Sequence, residues 1–426
     1  MKTLRWPLLG LLLLILLEAA RVYFIMPFPG SQLDDAANLN RVAVAYWLHE
    51  NALWMRAIGL LLLAVPVFQV LKNPTQAWHR WVVGGMLVAY GTVLYMVNLE
   101  MMADRMFLQP TTKRMVPMSQ NKIPTEKLVL GVVQNGEARA YPIQLIGYHH
   151  QVRDSVGGKP VMVTYCTVCR TGRVFDPVVN EPGHDRPGHD RPGRDRQIET
   201  FRLVGMDHFN AMFEDEKTGS WWRQATGEAI LGERRGEVLR ELPTQQLTLA
   251  EWAVEHPNTL VLQPDPAFKA ETDSLARYDL GTRRSKLTGR DSASWKPKSW
   301  VVGVVVDDKA GSRTAKAFDW NELAKQKVIN SAVGNQPVVL SLAPDGRSFR
   351  VFSRTVNGQT GQTNNGQTLG FAPTGDGQLI DKETGSVWNR AGRATAGPLM
   401  GKQLVPVQAY QEFWHSWQSF HPKTSQ

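Results

Sequence analysis

Only two cysteines occur in this chain, and they stand three residues apart, in Val163-Thr164-Tyr165-Cys166-Thr167-Val168-Cys169-Arg170-Thr171-Gly172. β-branched and aromatic residues flank them, over Pro160 to Tyr165 and Thr171 to Asp176. That pattern predicts a tight turn between two strands. A thioredoxin-like pair would instead enter a helix. Two thiolates on one turn resemble half of a metal knuckle. Thiolates with a nearby thioether select soft ions, so the cofactor expected here is copper or zinc. Two cysteines do not complete a zinc shell, so other donors must come from elsewhere. His149 is the first candidate, with His208 and Met206 behind it. Read as strand residues, His149 and His150 face opposite sides, which admits one of them at most.

Other readings of the same residues stand beside the metal. Arg170 and Arg173 would favour a thiolate, and the pair could then exchange disulfides with a partner. An oxidising compartment could also close it as a static disulfide in an interaction scaffold. The histidines would then be ordinary hydrogen-bonded residues and the methionines core. A thiol–imidazole pair of a cysteine with His149 ranks last. The chain has no nucleophile elbow, no recognisable Ser/His/Asp order and no nucleotide or haem signature. Whether it is an enzyme stays open at this level, and no catalytic residue is assigned.

The elements that must position these residues occur twice. Val129-Leu130-Gly131-Val132-Val133 with Ala138 to Pro142 matches Val302-Gly303-Val304-Val305 with Ala315 to Asp319. Gly157 to Val161 matches Gly334 to Val338, and Arg173-Val174-Phe175 matches Arg350-Val351-Phe352. Lys217 to Trp222 matches Glu383 to Trp388. Each copy closes on a tryptophan followed by a His-Pro-x-Thr step, at Trp252 with His256 and at Trp417 with His421. So many ordered matches indicate duplication. The second copy has Gln326 and Lys327 at the places of His149 and His150, and Ala343 and Gly346 at those of the cysteines. The chemistry is therefore expected in the first copy. That copy also holds eleven extra residues, where Pro-Gly-His-Asp-Arg repeats at 182–186 and 187–191 and continues as Pro-Gly-Arg-Asp-Arg at 192–196. Proline and glycine at that density predict a surface loop, as does the Gly- and Asn-rich stretch from Asn357 to Gln367. Strands are expected at Ile198 to Val204 and Gln336 to Leu342. Short helices are expected at Ile143 to Tyr148, Thr248 to His256 and Gln408 to Phe420.

Three apolar stretches precede the repeats, at about Trp6 to Met26, Asn51 to Val70 and Trp81 to Val97. Each approaches the ~20 residues needed to cross a bilayer. Glu18 beside Ala19-Ala20 suits a signal-peptidase site badly, so the first stretch reads as an uncleaved anchor. Glu18 and Arg21, one helical turn apart, read as a self-paired salt bridge. Lys2, Arg5, Lys72 and Arg80 flank the sides expected to face the cytoplasm. The protein is then expected in the cytoplasmic (inner) membrane, with its C-terminal region in the periplasm or outside the cell. Net charge is +9, nearly all of it in that region, but no basic run exceeds Arg283-Arg284 or Arg234-Arg235. Scattered charge in that compartment excludes nucleic acid and suits a solvated surface near anionic lipid. The expected partners are the bilayer and an unidentified extracytoplasmic molecule.

The expected fold is α+β. Residues 1–104 form three transmembrane helices, 105–263 a β-rich first repeat carrying the cysteines, 264–298 a connector and 299–426 a second repeat. The two repeats form a pseudo-dimer. At Ala140-Tyr141-Pro142, His149 to Asp154, Val163 to Cys169, Thr218 to Trp222, Gly227 to Ile230 and Trp417 to Thr424 the chain resembles a bacterial family known as domain of unknown function 3179. The exit sequence Met26-Pro27-Phe28-Pro29-Gly30-Ser31-Gln32 resembles a membrane-anchored branch with three N-terminal spans. Many members have His-Glu in place of His149-His150 and proline in place of Thr167. The resemblance implies no established activity.

Overall fold

The computed structural model describes residues 2–26, 35–180, 196–307, 313–356 and 367–426. Apart from Arg196 and Gln367, the two loops expected at 182–196 and 357–367 lie outside those residues. The chain divides into two compact units.

The first unit comprises Met1–Leu108, Thr200–Arg223 and Glu228–Glu237. Its helices Lys2–Ile25, Asp35–Lys72 and Ala77–Tyr95 are apolar, and the third runs on through a π-type turn, Met96–Met101. Segments Leu4–Ile25, Arg41–Lys72 and Ala77–Met101 are long and apolar enough to cross a membrane. Trp6, Leu13, Leu61, Leu62 and Trp81 point outward, as side chains facing hydrocarbon do. The salt bridge between Arg21 and Glu18 forms at 3.0 Å. It is also larger than expected, because Arg56 donates to Glu18 at 2.7 Å and both arginines donate to Asn98. One residue quartet thus joins all three helices and pairs each buried charge, as low-dielectric surroundings demand.

The same unit contains an antiparallel sheet of Phe201–Asp207, Asn210–Asp215, Trp221–Arg223 and Ala229–Leu231. Val204, Met212, Trp221 and Ile230 of this sheet bury against Ile25, Val42 and Ala45. Gly205 permits the approach, since a Cβ there would lie 2.2 Å from Ile25 Cγ1. The strand expected over Ile198 to Val204 is two strands, Arg196–Ile198 and Phe201–Asp207, separated at Glu199 and Thr200.

The second unit, Gln109–Glu199, Gln224–Gly227 and Val238–Gln426, is rich in small sheets and closes no barrel. A five-stranded sheet runs in the order Met115–Pro117, Leu260–Leu262, Glu137–Pro142, Leu128–Gln134, Thr244–Thr248. A three-stranded meander of Gln151–Val156, Lys159–Cys166 and Thr171–Phe175 accompanies it. Further on, Trp300–Asp307 pairs with Arg313–Asp319 and with Ala409–Phe413, and Val328–Val333, Gln336–Leu342 and Phe349–Ser353 form another meander. Helices form at Ile143–His149, Leu249–Glu255 and Trp414–Phe420. The helix expected from Gln408 is therefore a strand first. Ala409 to Phe413 pairs with the edge of Trp300–Asp307, and tertiary pairing overrides local propensity there.

One packing contact recurs. A Cβ on Gly131 would fall 2.3 Å from Trp252, and one on Gly303 would fall 2.0 Å from Trp417. Each indole donates to a threonine seven residues on, Thr259 at 2.8 Å and Thr424 at 2.9 Å. Each also lies 4.0 Å from the ring of the following histidine, His256 or His421. A tryptophan can lie flat on a strand only where that strand has no side chain, which is why glycine stands in both β-runs.

Candidate functional site

The cysteines lie where the pattern expects them, at the turn of a hairpin. Tyr165 pairs with Gly172 and Cys166 with Thr171, which leaves Thr167 to Arg170 to reverse the chain. Arg170 takes a left-handed conformation, φ +58, so the turn can close in four residues. Gly172 lets the hairpin pack, because a Cβ there would stand 2.9 Å from Leu130. Tyr278 donates to the Thr167 carbonyl at 2.9 Å, and the Phe413 amide donates to the Cys169 carbonyl at 3.0 Å. The turn is thus fixed from both sides.

Both sulfurs are fully buried, at 0% exposure, and both residues are thiols rather than halves of a disulfide. The two side chains hydrogen-bond to each other. Burial and the Cys166 thiol push Cys169 well above the ordinary thiol range, while Lys298 and Ser416 pull the other way. Lys298 Nζ donates to the Val168 carbonyl at 2.6 Å, between the two cysteines. Burial presses its ammonium down to about 8, and the cysteines resist that shift.

His415 completes the wall. Its Nε2 is 3.8 Å from Cys169 Sγ, and its Nδ1 is 2.9 Å from the Pro297 carbonyl. A carbonyl can only accept, so Nδ1 carries the proton and Nε2 turns a lone pair toward the sulfur. Burial, then the charge of Lys298, hold this imidazole neutral down to about pH 3. Behind it, Thr171 Oγ1 meets Ser416 Oγ at 3.2 Å, and Ser416 donates to Glu412 at 3.1 Å. Glu412 pairs with the buried Arg173, whose guanidinium lies 3.4 Å over Tyr410. Arg170 donates through Nε to Gln411 at 2.8 Å. The strand Ala409–Phe413 and the helix after it therefore supply one side of a site whose thiols come from the hairpin Lys159–Phe175.

The other expected donors stand as follows. His149 ends the helix Ile143–His149, buried and edge-on to Phe268 at 5.1 Å. His150 follows in a left-handed conformation, φ +61, with Nδ1 3.0 Å from the Tyr148 carbonyl. Burial holds it neutral to about pH 4. Neither is a strand residue, so the opposite-faces argument does not apply to them. Met206 and His208 belong to the first unit. Met206 lies in the strand Phe201–Asp207. His208 heads the turn that follows, with Nδ1 2.8 Å from Asp207 Oδ1. Against the upward push of burial, His208 and Arg223 keep the Asp207 carboxyl low. Among the described residues no group of three or more His, Cys, Asp or Glu is arranged to hold a metal ion.

Sequence reasoning missed His415, Lys298 and Glu412. The signal available was a histidine and an acid within the segment from Gln408 to Phe420, which reads as a helix throughout.

The family model described as "Protein of unknown function (DUF3179)" matches residues 109–424. No curated protein and no solved structure matches the chain.

Proposed function

The chain belongs to the DUF3179 family, and from that footing we propose that it holds a soft, monovalent metal ion, Cu(I), between Cys166 and Cys169 on the extracytoplasmic side of the inner membrane. The carrying observation is a buried pair of adjacent thiols on one rigid turn. Cu(I) accepts two thiolates alone, whereas zinc asks for four ligands. Among the described residues no group of three or more His, Cys, Asp or Glu stands together, which favours a two-coordinate ion over a four-coordinate one. A bound cuprous ion would supply soft-ligand transfer or one-electron chemistry. The chain's own residues do the rest. His415 Nε2 accepts from the Cys169 thiol while that thiol keeps its proton, and Lys298 faces the negative charge left when both thiols lose protons. Burial shields the pair from attack by a macromolecular disulfide.

Thiol–disulfide exchange is the second reading, supported by the contact between the two thiols. His149, His208 and Met206 remain candidate outer donors. Two further proposals accompany the site. Residues 105–263 and 299–426 are copies packed as a pseudo-dimer, which the recurring glycine–tryptophan contact supports. The lysines and arginines flanking the apolar helices support a periplasmic or external position for residues 105–426, with the chain in the membrane-anchored branch of its family.

The test uses the full-length chain in neutral detergent, reduced and loaded anaerobically with Cu(I). One equivalent bound in the wild type and none in Cys166→Ser or Cys169→Ser is the expected result. Stoichiometric binding that survives in both variants refutes the site. No binding in the wild type, with a reversible two-electron couple at the cysteines, assigns the redox reading instead.

A further inference from the structure

A second site lies in the segment that connects the two copies. Arg283, Arg284, Lys286, Arg290 and Lys298 line a cleft of about 490 Å³, with Asp291 the one acid on its walls. Asp291 is already engaged, since Oδ1 accepts the Ala293 amide at 3.0 Å. Beneath the cleft, Arg290 Nη2 donates to Asn321 at 2.8 Å and Arg170 Nε to Gln411 at 2.8 Å, and further donors go unmet. Arg290 lies 4.1 Å over the Trp300 ring, and Arg170, 1% exposed, lies 3.9 Å over the same ring. Gly281 shapes the cleft here, because a Cβ on it would stand 2.6 Å from Trp300. Three N–H donors of this stack are buried with no partner: Arg170 Nη2, Arg290 Nε and Trp300 Nε1. Arginine and the indole nitrogen can only donate. Each buried, unmet donor calls for an acceptor. Like charges this close also repel one another until an anion comes between them.

We propose that this cleft binds a phosphate-type oxyanion carrying two or more negative charges. Arg283, Arg284 and Lys286 would capture it from solvent. Arg290 would meet it from the wall with the guanidinium N–H groups not already given to Asn321. Lys298 connects the cleft to the cysteine turn, since the same ammonium holds the Val168 carbonyl. The proposal does not rest on the metal reading, because no cysteine takes part in anion binding, although Lys298 borders both sites. A soluble phosphate and a phospholipid headgroup share the required chemistry, and the test separates them.

Full-length protein in neutral detergent is titrated with inorganic phosphate and with pyrophosphate by calorimetry at low salt. In parallel it is reconstituted in bilayer discs of phosphatidylcholine alone or with phosphatidylglycerol, and its thermal midpoint is followed. The test variant is Arg283→Gln/Arg284→Gln/Lys286→Gln, built from side chains on the open rim. A second variant, Lys269→Gln/Lys382→Gln/Lys423→Gln, removes the same charge elsewhere on the surface. Saturable binding that weakens at least about tenfold in the first triple and stays unchanged in the second is expected, with the loss of two to three phosphate contacts accounting for that factor. Binding of the soluble ions identifies a free anion, and a shift with phosphatidylglycerol alone identifies a headgroup. Wild-type protein that binds none of these probes, or equal losses in both triples, overturns the proposal. Cys166→Ser should bind the anion as the wild type does while losing the metal, so the two sites fail independently.

Discussion

Replacing His415 with glutamine removes a group that the folded chain refuses to protonate. Its folded pKa is about 3 against an ordinary 6.5. In the unfolded chain the imidazole takes up a proton as pH falls through 6.5, while in the folded chain it stays neutral. The unfolded state therefore binds more protons across this window, and stability rises with pH there. It is fully present above the unfolded value and drains as pH falls toward the folded one. At about pH 5 the unfolded ring is almost fully charged and the folded ring almost fully neutral, a difference of about 2 kcal/mol. The ring keeps a partly exposed edge, so screening reduces this to about 1–2 kcal/mol. Glutamine can still donate to the Pro297 carbonyl but has no proton to gain. The assay is urea unfolding of the full-length protein in neutral detergent, followed by tryptophan fluorescence at about pH 7 and about pH 5. His150 and His421, each held near 4, add losses of the same sign. Glu241 and Asp279, raised by burial, act in the opposite sense. These contributions cancel in the difference between wild type and His415→Gln. The variant should lose about 1–2 kcal/mol less on acidification. Equal losses in the two proteins would refute the assignment of a buried, neutral His415 beside Cys169.

Two further outcomes follow from the packing. Gly303→Ala should destabilise, because relieving glycine's backbone entropy is worth about 0.5–1 kcal/mol and overpacking against Trp417 costs about 1–3 kcal/mol. Adding Trp417→Leu should shrink that penalty in thermal unfolding, and an unchanged penalty would show that the contact is not its cause. Arg173→Met strands Glu412 in the interior and should cost about 3–5 kcal/mol, whereas Arg173→Met with Glu412→Leu should recover most of it. A double variant no more stable than the single would mean that the pair is not what Arg173 contributes.

The hairpin that carries the cysteines was legible because β-branched residues flank a turn too short for anything else. The strand Gln336–Leu342 was legible for the same reason. The remainder of the site was not. Gln411 and Glu412 are buried polar residues that accept from Arg170 and Arg173, and buried polarity has no periodic signature. His415 was hidden by distance, since it meets Cys169 across 246 residues. The search for donors also stayed within the first copy, on the premise that a copy lacking the cysteines lacks the chemistry. The pairing of Ala409–Phe413 with Trp300–Asp307 carries His415 to the cysteine turn, and only tertiary structure contains that fact. Conversely, His149 and His150 attracted attention by adjacency, while a helix end and a left-handed residue set their directions.

The Phe413 amide that closes the cysteine turn bears on how the protein is made. Cys169 leaves the ribosome 246 residues before His415 does, so the turn is synthesised long before the segment that seals it. At about 5–20 residues per second, that interval lasts on the order of tens of seconds. Throughout it, the nascent thiols meet whatever oxidants and metal ions surround the growing chain. A chain cut short before Ala409 would lack that seal altogether. The strand Ala409–Phe413 and the helix Trp414–Phe420 thus close the cysteine turn only late in synthesis.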